Sequence, residues 1–327
     1  MASAIPGPIS LPQSRYDLST YWGRVQHCTD LSDPTMLLNT SASLQAAKDL
    51  VSQYKNGEIK SMTPELWTAK KVLDSTIHPD TGETVLLPFR MSSCVLSNLI
   101  VTGGMLTPGL GTFGTLFWQI ANQSLNVAIN ISNGNKSNPL STWQLVQNYT
   151  IAVTASCGVA LGLNSIVPRL TKVSASTKLI LGRLVPFAAV VSAGIVNVFA
   201  MRSEEIKKGI TVFDKEGNEV GISKTAAVYA VGETAASRVI NATPIMVIPP
   251  LLLVKLQNTI LKGKGLGIMT LANLGIITVT SFVVLPFALA VFPQYQGISV
   301  DSLESHLRSL KDKDGKHIDT VYFNRGI

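Results

Sequence analysis

Residues 179–200 read LILGRLVPFAAVVSAGIVNVFA, and Arg183 is the only charged side chain among these 22 residues. An α-helix needs about 20 mainly apolar residues to cross the hydrocarbon core of a bilayer. The stretch therefore predicts a membrane-spanning helix. The surrounding residues 91–201 contain five lysines or arginines and no aspartate or glutamate. A stretch of 111 residues without a carboxylate is hard to reconcile with a water-facing surface.

Four further apolar runs of membrane length occupy residues 91–118, 143–167, 226–254 and 266–292. The chain is 46% hydrophobic and only 14% charged, whereas soluble globular domains carry about 25% charged residues. We therefore predict an all-α polytopic membrane protein, with about five transmembrane helices in a bundle formed by residues 91–293.

Segments of ordinary polarity flank the predicted bundle or interrupt it. Residues 1–90 are expected to form an N-terminal amphipathic helical head, and residues 294–327 a polar, charge-balanced tail. Within the head, Thr63 followed by Pro64 predicts the start of a helix, because proline is favoured at the first helical position. Residues 202–224 predict a short β-hairpin loop, with two strand-like runs on either side of a glycine turn.

The net charge of +7 is distributed as membrane topology requires, which argues against nucleic acid as a partner. Residues 167–178 and 255–267 each carry three lysines or arginines and no acid, while residues 202–224 carry five charges of each sign. With five spans, the two basic loops lie on the same side as the N-terminus. The positive-inside rule then predicts that the N-terminus faces the cytoplasm-like compartment and that the bilayer is the main partner.

Glycine and proline break two of the predicted spans. The first contains GGMLTPGLGTFG at residues 103–114, and the fourth contains a proline pair. The residues expected to interrupt the helices are Gly104, Pro108, Gly109, Pro249 and Pro250. Such breaks are tolerated in a membrane only where protein or a cavity satisfies the freed backbone groups. Two interpretations stay open: a transporter site, or a re-entrant turn that binds no ligand.

A stripe of neutral amides follows the first break. Asn122, Asn126 and Asn130 share one helical face, with Gln123 beside it. Such a stripe lines a polar path or bonds to neighbouring helices; the alternative is an interfacial amphipathic helix. Glu233 and Arg238 are further candidates for a substrate path, because ionisable groups inside a membrane are costly. If the helix ends near Pro244, both are ordinary interfacial residues.

Residues 77–83, IHPDTGE, combine a histidine, two carboxylates and a hydroxyl. The candidates in this segment are His78, Pro79, Asp80, Thr81, Gly82 and Glu83. One histidine and two carboxylates match the usual zinc ligand sets poorly, and the three cysteines are widely spaced, so we predict no metal, no cofactor and no catalytic site. Pro-Asp-Thr-Gly is typical of a turn, which we expect to dock the head onto the bundle. A gating role is the alternative.

Several motifs together resemble one family. They are YDLST at 16–20 with Gly23 and Arg24, HPDTGE at 78–83, NQSLN at 122–126, and YFNRG at 322–326. The chain resembles the sideroflexins over essentially its whole length. The resemblance implies a mitochondrial inner-membrane carrier of serine, and of alanine, glycine or cysteine, which feeds one-carbon metabolism. It also implies no cleaved presequence and, with the charge pattern, an N-terminus in the matrix.

A serine zwitterion suits these features physically. Backbone N–H groups at the helix breaks are expected to meet its carboxylate. The amides of Asn122, Gln123 and Asn126 suit its hydroxyl and ammonium, and Glu233 is expected to pair with the ammonium. The rival functions are a non-transporting scaffold or assembly factor, and a tricarboxylate carrier. The latter fits less well, since only Arg183 and Arg238 lie within the predicted spans. An enzyme is the least favoured.

Overall fold

The computed structural model describes residues 5–78, 81–107, 109–133, 141–307 and 318–325. Most of these residues are helical, and a small antiparallel sheet accompanies the helices. Three N-terminal helices come first: α1 (Tyr21–Leu31), α2 (Ser41–Lys55) and α3 (Pro64–Thr76). The bundle contains α4 (Cys94–Met105), α5 (Thr112–Asn133), α6 (Thr142–Ile166), α7 (Ala175–Met201), the short α8 (Ser203–Lys208), α9 (Lys224–Met246), α10 (Ile248–Gln257), α11 (Leu266–Val283) and α12 (Leu285–Leu289).

The N-terminal helices pack on one another through α2 and α3. Val51, Leu66 and Leu73 have no exposed surface and form the centre of this contact. Thr63 caps α3 as predicted, because its hydroxyl accepts from the backbone N–H of Leu66 at 3.2 Å. The ammonium of Lys71 on α3 bonds to Asp30 at the end of α1, at 3.1 Å. Helix α3 begins where it was predicted, while the description of these helices as a separate amphipathic head stays a prediction.

Three helical stretches are long and apolar enough to cross a membrane: Thr142–Arg169, Ala175–Met201 and Lys224–Gln257. Two shorter apolar helices, Val95–Met105 and Gly267–Val283, accompany them. The predicted count of about five spans is therefore not confirmed. Of the predicted spans, 143–167 and 179–200 match α6 and α7 within a few residues.

The first apolar run, 91–118, is two helices rather than one span. Helix α4 ends at Met105 and α5 begins at Thr112. Gly109, with φ +75°, lies in the turn between them; Pro108 lies outside the described residues. At the far end of α5, the amide of Asn133 donates to the carbonyl oxygen of Phe89 at 2.7 Å. The α4–α5 hairpin therefore starts and finishes at the same end of the bundle.

The bundle has two distinct ends. At one, Arg183 on α7 donates to Gln257 on α10 at 3.0 Å, next to the two loops that carry three basic residues each; we call it the basic end. At the other, which we call the sheet end, α1 bonds to α12: Arg24 Nε donates to the carbonyl oxygen of Ala290 at 2.9 Å. The N-terminal helices and the basic loops thus lie at opposite ends. The side of the membrane predicted for the N-terminus is not confirmed: the first apolar run forms a hairpin in the structure, which favours the opposite arrangement.

The predicted hairpin is present but belongs to a larger sheet. Its strands β1 (Ile210–Phe213) and β2 (Glu219–Ser223) pair antiparallel, and β3 (Tyr295–Ser299) and β4 (Thr320–Asn324) complete the order β2-β1-β4-β3. The all-α prediction is therefore wrong for this end of the chain. Burial alternates along β4, as in a strand with one face against the core: Val321 and Phe323 are buried, whereas Tyr322 between them is not.

The sheet is joined to α9 by a carboxylate distant in sequence. Glu304 Oε2 accepts from the hydroxyl of Ser223 at 2.7 Å, and its Oε1 accepts from the backbone N–H groups of Lys224 and Thr225 at 2.8 and 2.9 Å. A carboxylate is favoured at a helix N-terminus. Burial alone would raise the pKa of Glu304, but these hydrogen bonds hold the pKa at about 2.

Candidate functional site

A cavity of about 640 Å³ lies in the basic half of the bundle, beside the turn between α4 and α5. Its deep wall includes Gln119, Val185 and Asn273, all at least nine-tenths buried. Its rim includes the exposed residues Pro168 and Ala175, at the facing ends of α6 and α7. The cavity therefore extends from the basic end of the protein into the interior of the bundle.

The interrupted helix forms one wall of the cavity. Leu106, Thr107 and Gly109 line it where the chain turns from α4 to α5. Gly104 lies within α4 rather than in the break; a β-carbon there would be 2.2 Å from the Trp118 ring, which also lines the cavity. Gly104 thus allows α4 and α5 to pack closely.

The proline pair begins a helix instead of bending one. Pro249 and Pro250 occupy the first turn of α10, directly after α9 ends at Met246. Proline is tolerated there because the first N–H groups of a helix have no partner within it. Both prolines are buried, and Pro250 lines the cavity. The two predicted breaks therefore meet at one place.

Three polar side chains from different helices converge on this cavity. Gln119 Oε1 accepts from the hydroxyl of Ser156 at 2.5 Å, which fixes the amide across the α5–α6 contact. The Asn273 amide donates to the carbonyl oxygen of Leu106 at 3.4 Å, while its Oδ1 is buried without a hydrogen-bond partner among the described residues. The third is the guanidinium of Arg183, held by Gln257. An apolar pocket with a few convergent polar groups is typical of a small-molecule site.

The charges around the cavity are all positive. Lys178 and Arg183 line it, and among the described residues that line it there is no carboxylate. Neither cation forms an ion pair within the described parts of the chain. The arrangement can hold a carboxylate at the cations and donors or acceptors of hydrogen bonds at the amides.

The predicted amide stripe is only partly inside the protein. Asn122 and Gln123 are buried, Asn126 is half-buried and Asn130 is exposed. None of the four lines the cavity; they follow Gln119 along α5 toward the sheet end. Asn122 Nδ2 is buried without a hydrogen-bond partner among the described residues. The buried polar face thus starts earlier than predicted, with Thr115 and Gln119.

Glu233 and Arg238 lie away from the cavity, on the sheet-end half of α9. The carboxylate of Glu233 interacts electrostatically with the guanidinium of Arg325 on the C-terminal segment. Arg238 is exposed, and its aliphatic carbons pack near Gly194 on α7. The structure therefore does not bring these two residues together with the groups that line the cavity.

The HPDTGE segment forms a tight turn after α3. His78 N donates to the carbonyl oxygen of Glu83 at 2.8 Å, Gly82 N donates back to His78 O at 3.0 Å, and Gly82 has φ +70°. Thr81 N points to His78 Nδ1 at 3.4 Å; Pro79 and Asp80 lie outside the described residues. Across the described chain, His, Cys, Asp and Glu side chains form no group that could hold a metal. Docking and gating remain predictions for this turn.

Sequence reasoning treated Arg183 only as a charge within a span and did not single out Gln119, Asn273 or Arg325 as site residues. Gln119 was detectable, because Thr115, Gln119 and Asn122 recur at helical spacing. Arg183 was detectable because charges inside a span are costly. No local pattern distinguishes Asn273 or Arg325.

The chain matches one family along almost its entire length. The model of the sideroflexins matches residues 10–327. Sideroflexin FSF1 of Saccharomyces cerevisiae is 70% identical over 327 residues, covering 100% of both chains. Sideroflexin fsf1 of Schizosaccharomyces pombe is 56% identical, covering 97% of this chain and 98% of its own. Human Sideroflexin-1 is 35% identical and covers 100% of both chains. No solved structure shows a significant match.

Proposed function

Because this chain belongs to the sideroflexin family, we propose that it is a mitochondrial inner-membrane carrier of serine and other small neutral amino acids. By supplying serine it would feed mitochondrial one-carbon metabolism. The observation that carries the proposal is the cavity, in which cations and amides converge beside an interrupted apolar helix. Discontinuous helices near the middle of a membrane are where many transporters bind their substrates.

The chemistry of the cavity suits a small zwitterion. Arg183 and Lys178 are placed to receive a carboxylate. Asn273 Oδ1, which has no hydrogen-bond partner in the described parts of the chain, is an acceptor for an ammonium or a hydroxyl group. The volume of about 640 Å³ lies within the range of small-molecule sites, about 300–1,000 Å³. A tricarboxylate would place three negative charges against the two lining cations and leave one of the three without a partner.

The amides of α5 extend the polar surface beyond the cavity. Gln119, Asn122 and Asn126 follow one another at spacings of three and four residues, from the cavity toward the sheet end. We assign this face to the route of the substrate through the bundle. Asn122 Nδ2 is buried without a hydrogen-bond partner among the described residues, which is costly unless water or a ligand satisfies it.

For the topology, we propose that α6, α7, the α9–α10 pair and the α11–α12 pair cross the membrane. The α4–α5 hairpin enters from the sheet end and returns there. The positive-inside rule then assigns the two basic loops, and with them the mouth of the cavity, to the matrix. The N-terminal helices and the sheet face the intermembrane space, which replaces the matrix location predicted from charge alone.

The test is transport by the pure protein. The protein is reconstituted in liposomes, and uptake of labelled serine is compared with that of labelled citrate and with empty liposomes. We expect saturable serine uptake that alanine inhibits and citrate does not. Absence of uptake of both substrates by folded, inserted protein would refute the carrier and favour the scaffold. Citrate uptake without serine uptake would favour the tricarboxylate carrier.

A further inference from the structure

The last apolar stretch presents a row of exposed side chains that ends near the sheet. Leu271, Val279 and Val283 on α11 and Phe287 on α12 are exposed and are spaced by four or eight residues. Residues four apart share one face of a helix, and α12 follows α11 after a single residue. In a membrane protein, a row of large exposed apolar side chains is expected to face lipid. The row stops shortly before the polar sequence that begins at Gln294.

Trp22 on α1 extends this row beyond the end of the helix. Its ring meets the Phe287 ring edge to face, with 6.0 Å between the ring centres, and the Tyr21 ring lies 5.8 Å from that of Trp22. Tyr21 OH donates to the carbonyl oxygen of Phe287 at 3.0 Å, and Arg24 Nε donates to that of Ala290 at 2.9 Å. These contacts fix α1 against α12, yet the Trp22 side chain stays 65% exposed.

The exposed apolar side chains of the N-terminal part are concentrated on segments that adjoin the bundle. Among the described residues 5–90, the large apolar side chains that are exposed, apart from Ile9, are Tyr21, Trp22, Leu38, Leu86 and Leu87. Helices α2 and α3 expose none, because they bury their apolar side chains against each other. The exposed set is therefore not a general property of the N-terminal helices.

Leu86 and Leu87 lie where the α4–α5 hairpin begins and ends. Residues 87–89 form a short 3₁₀ turn directly after Leu86. Ser97 Oγ in α4 donates to the carbonyl oxygen of Pro88 at 2.7 Å, and the Asn133 amide at the end of α5 donates to that of Phe89 at 2.7 Å. The turn is thus held at the sheet end of both helices.

Leu38 adjoins the same end of the bundle through a different segment. It is the last residue of the 3₁₀ turn Pro34–Leu38, which packs against the turn Met91–Ser93, directly before α4. Its side chain is 82% exposed. A leucine left in water forgoes the stabilisation that burial of its apolar surface would give.

We propose that Tyr21, Trp22, Leu38, Leu86 and Leu87 form a belt that inserts into the lipid leaflet at the sheet end. The belt continues the exposed row of α11 and α12 and lies where the apolar helices end. Tryptophan and tyrosine are enriched at this depth of a membrane, because each combines an apolar ring with a polar N–H or O–H group. The N-terminal helices are then bound to the bilayer as well as to the bundle.

The distribution of the belt favours a lipid surface over a second copy of the chain. Its members come from three segments, which adjoin α12, the start of α4 and the end of α5. A leaflet touches all three at one level, whereas a protein partner would cover a compact patch. The belt depends neither on the transported substrate nor on the compartment that the sheet end faces.

The first measurement locates Trp22 relative to the lipid. In the full-length chain in lipid nanodiscs, Trp67→Phe, Trp118→Phe and Trp143→Phe leave Trp22 as the only tryptophan. Phospholipids with bromine on the upper part of the acyl chains should remove most of its fluorescence, and acrylamide in the water should remove little. A variant that keeps only Trp67 is the matched control. Trp67 on α3 lines a largely polar cleft among the N-terminal helices, so the brominated lipids should not quench it.

A second measurement keeps all four tryptophans and so controls for misfolding. In a chain whose three cysteines are serine, Leu38→Cys or Leu86→Cys carries a nitroxide label. Each label should collide more with oxygen, which concentrates in lipid, than with a water-soluble nickel complex. Lys60→Cys, on an exposed polar residue of the same part, should show the opposite preference.

Two outcomes would overturn the belt. Quenching of Trp22 by acrylamide but not by brominated lipid, or labels at Leu38→Cys and Leu86→Cys that behave like Lys60→Cys, would place these side chains in water. Protection of Trp22 from both quenchers would show that protein covers it, such as a second copy of the chain.

Discussion

A β-carbon on Gly23 would lie 1.9 Å from the carbonyl oxygen of Asp17. The chain turns tightly here: the backbone N–H groups of Thr20 and Gly23 donate to Asp17 O at 3.2 Å and to Thr20 Oγ1 at 3.1 Å. The turn caps α1 and points Arg24 at α12. The glycine in the YDLST…GR motif is therefore required by close packing.

Substitution of Gly23 should destabilise the protein. Gly23→Ala forces the α1 turn away from Asp17, and we expect a loss of about 1–3 kcal/mol, as for other overpacked sites. The measurement is thermal stability in detergent. Gly275→Ala in α11 is the control, since a β-carbon there meets no atom within 4 Å. Equal stability of the two variants would contradict the packing argument.

The amides of α5 should be needed for transport but not for folding. Gln119→Leu removes from the cavity wall a polar group that we expect to bind the substrate; because a loss of about 1.4 kcal/mol in binding is a factor of about ten, serine uptake should fall at least about tenfold. Asn122→Leu should act in the same direction. Asn130→Leu, on the exposed part of the same helix, is the matched control. Uptake in liposomes and thermal stability separate the two effects; normal uptake by both Gln119→Leu and Asn122→Leu would remove α5 from the route.

Arg183 should determine how well the carboxylate is bound. Arg183→Gln removes the charge that we place opposite the substrate carboxylate, and KM for serine should rise about tenfold. Arg183→Lys should raise KM by less, because lysine keeps the positive charge but lacks the planar guanidinium that binds a carboxylate through two hydrogen bonds. Arg169→Gln, on the adjacent loop but outside the cavity lining, should leave KM unchanged. An unchanged KM in Arg183→Gln would place the carboxylate elsewhere.

Acid should loosen the junction between the sheet and α9. The pKa of Glu304 is about 2 in the folded protein, whereas an unperturbed glutamate has a pKa of 4.5. Because folding lowers this pKa, its stabilisation is complete above about pH 4.5 and is lost as the pH falls toward about 2. The free energy of unfolding should fall as the pH is lowered from about 4.5 to about 2. Glu304→Gln should be less stable than the parent at neutral pH, and its free energy of unfolding should depend less on pH. Asp301→Asn, an exposed neighbour, is the control and should keep the parent's profile.

The two ends of the bundle should face different compartments. Lys60→Cys among the N-terminal helices and Lys172→Cys in a basic loop are both exposed. In mitochondria with a permeable outer membrane, an impermeant thiol reagent should modify Lys60→Cys and reach Lys172→Cys only after the inner membrane is opened. Modification of both from the same side would show that the first apolar run crosses the membrane.

Local features of the fold were predictable because their signals lie in adjacent residues. The start of α3 at Pro64 follows from Thr63 and the proline after it, and the bounds of α6 and α7 follow from the length of uninterrupted apolar sequence. The β1–β2 hairpin follows from two short strands around Gly217, whose φ is +83°. Each of these signals can be recognised without knowing what packs against the element.

The cavity was only partly predictable. The Gly/Pro breaks and the amides of α5 directed attention to the interrupted helices, because such residues stand out in an apolar sequence. The partner of each group was not visible: Asn273 bonds to Leu106 across 167 residues of sequence, and Glu233 interacts electrostatically with Arg325 and does not line the cavity. Which polar groups share one cavity depends on helix packing.

By itself, the sequence determined that this is a helical membrane protein with interrupted spans, since apolar length and helix signals are local properties. Tertiary structure alone decided that the first apolar run turns back and that the polar tail completes a sheet. In the first case the bond from Asn133 to Phe89 closes the hairpin. In the second, Val212 pairs with Phe323 across most of the C-terminal half. Both outcomes depend on contacts between distant residues, whose free energy no single segment contains.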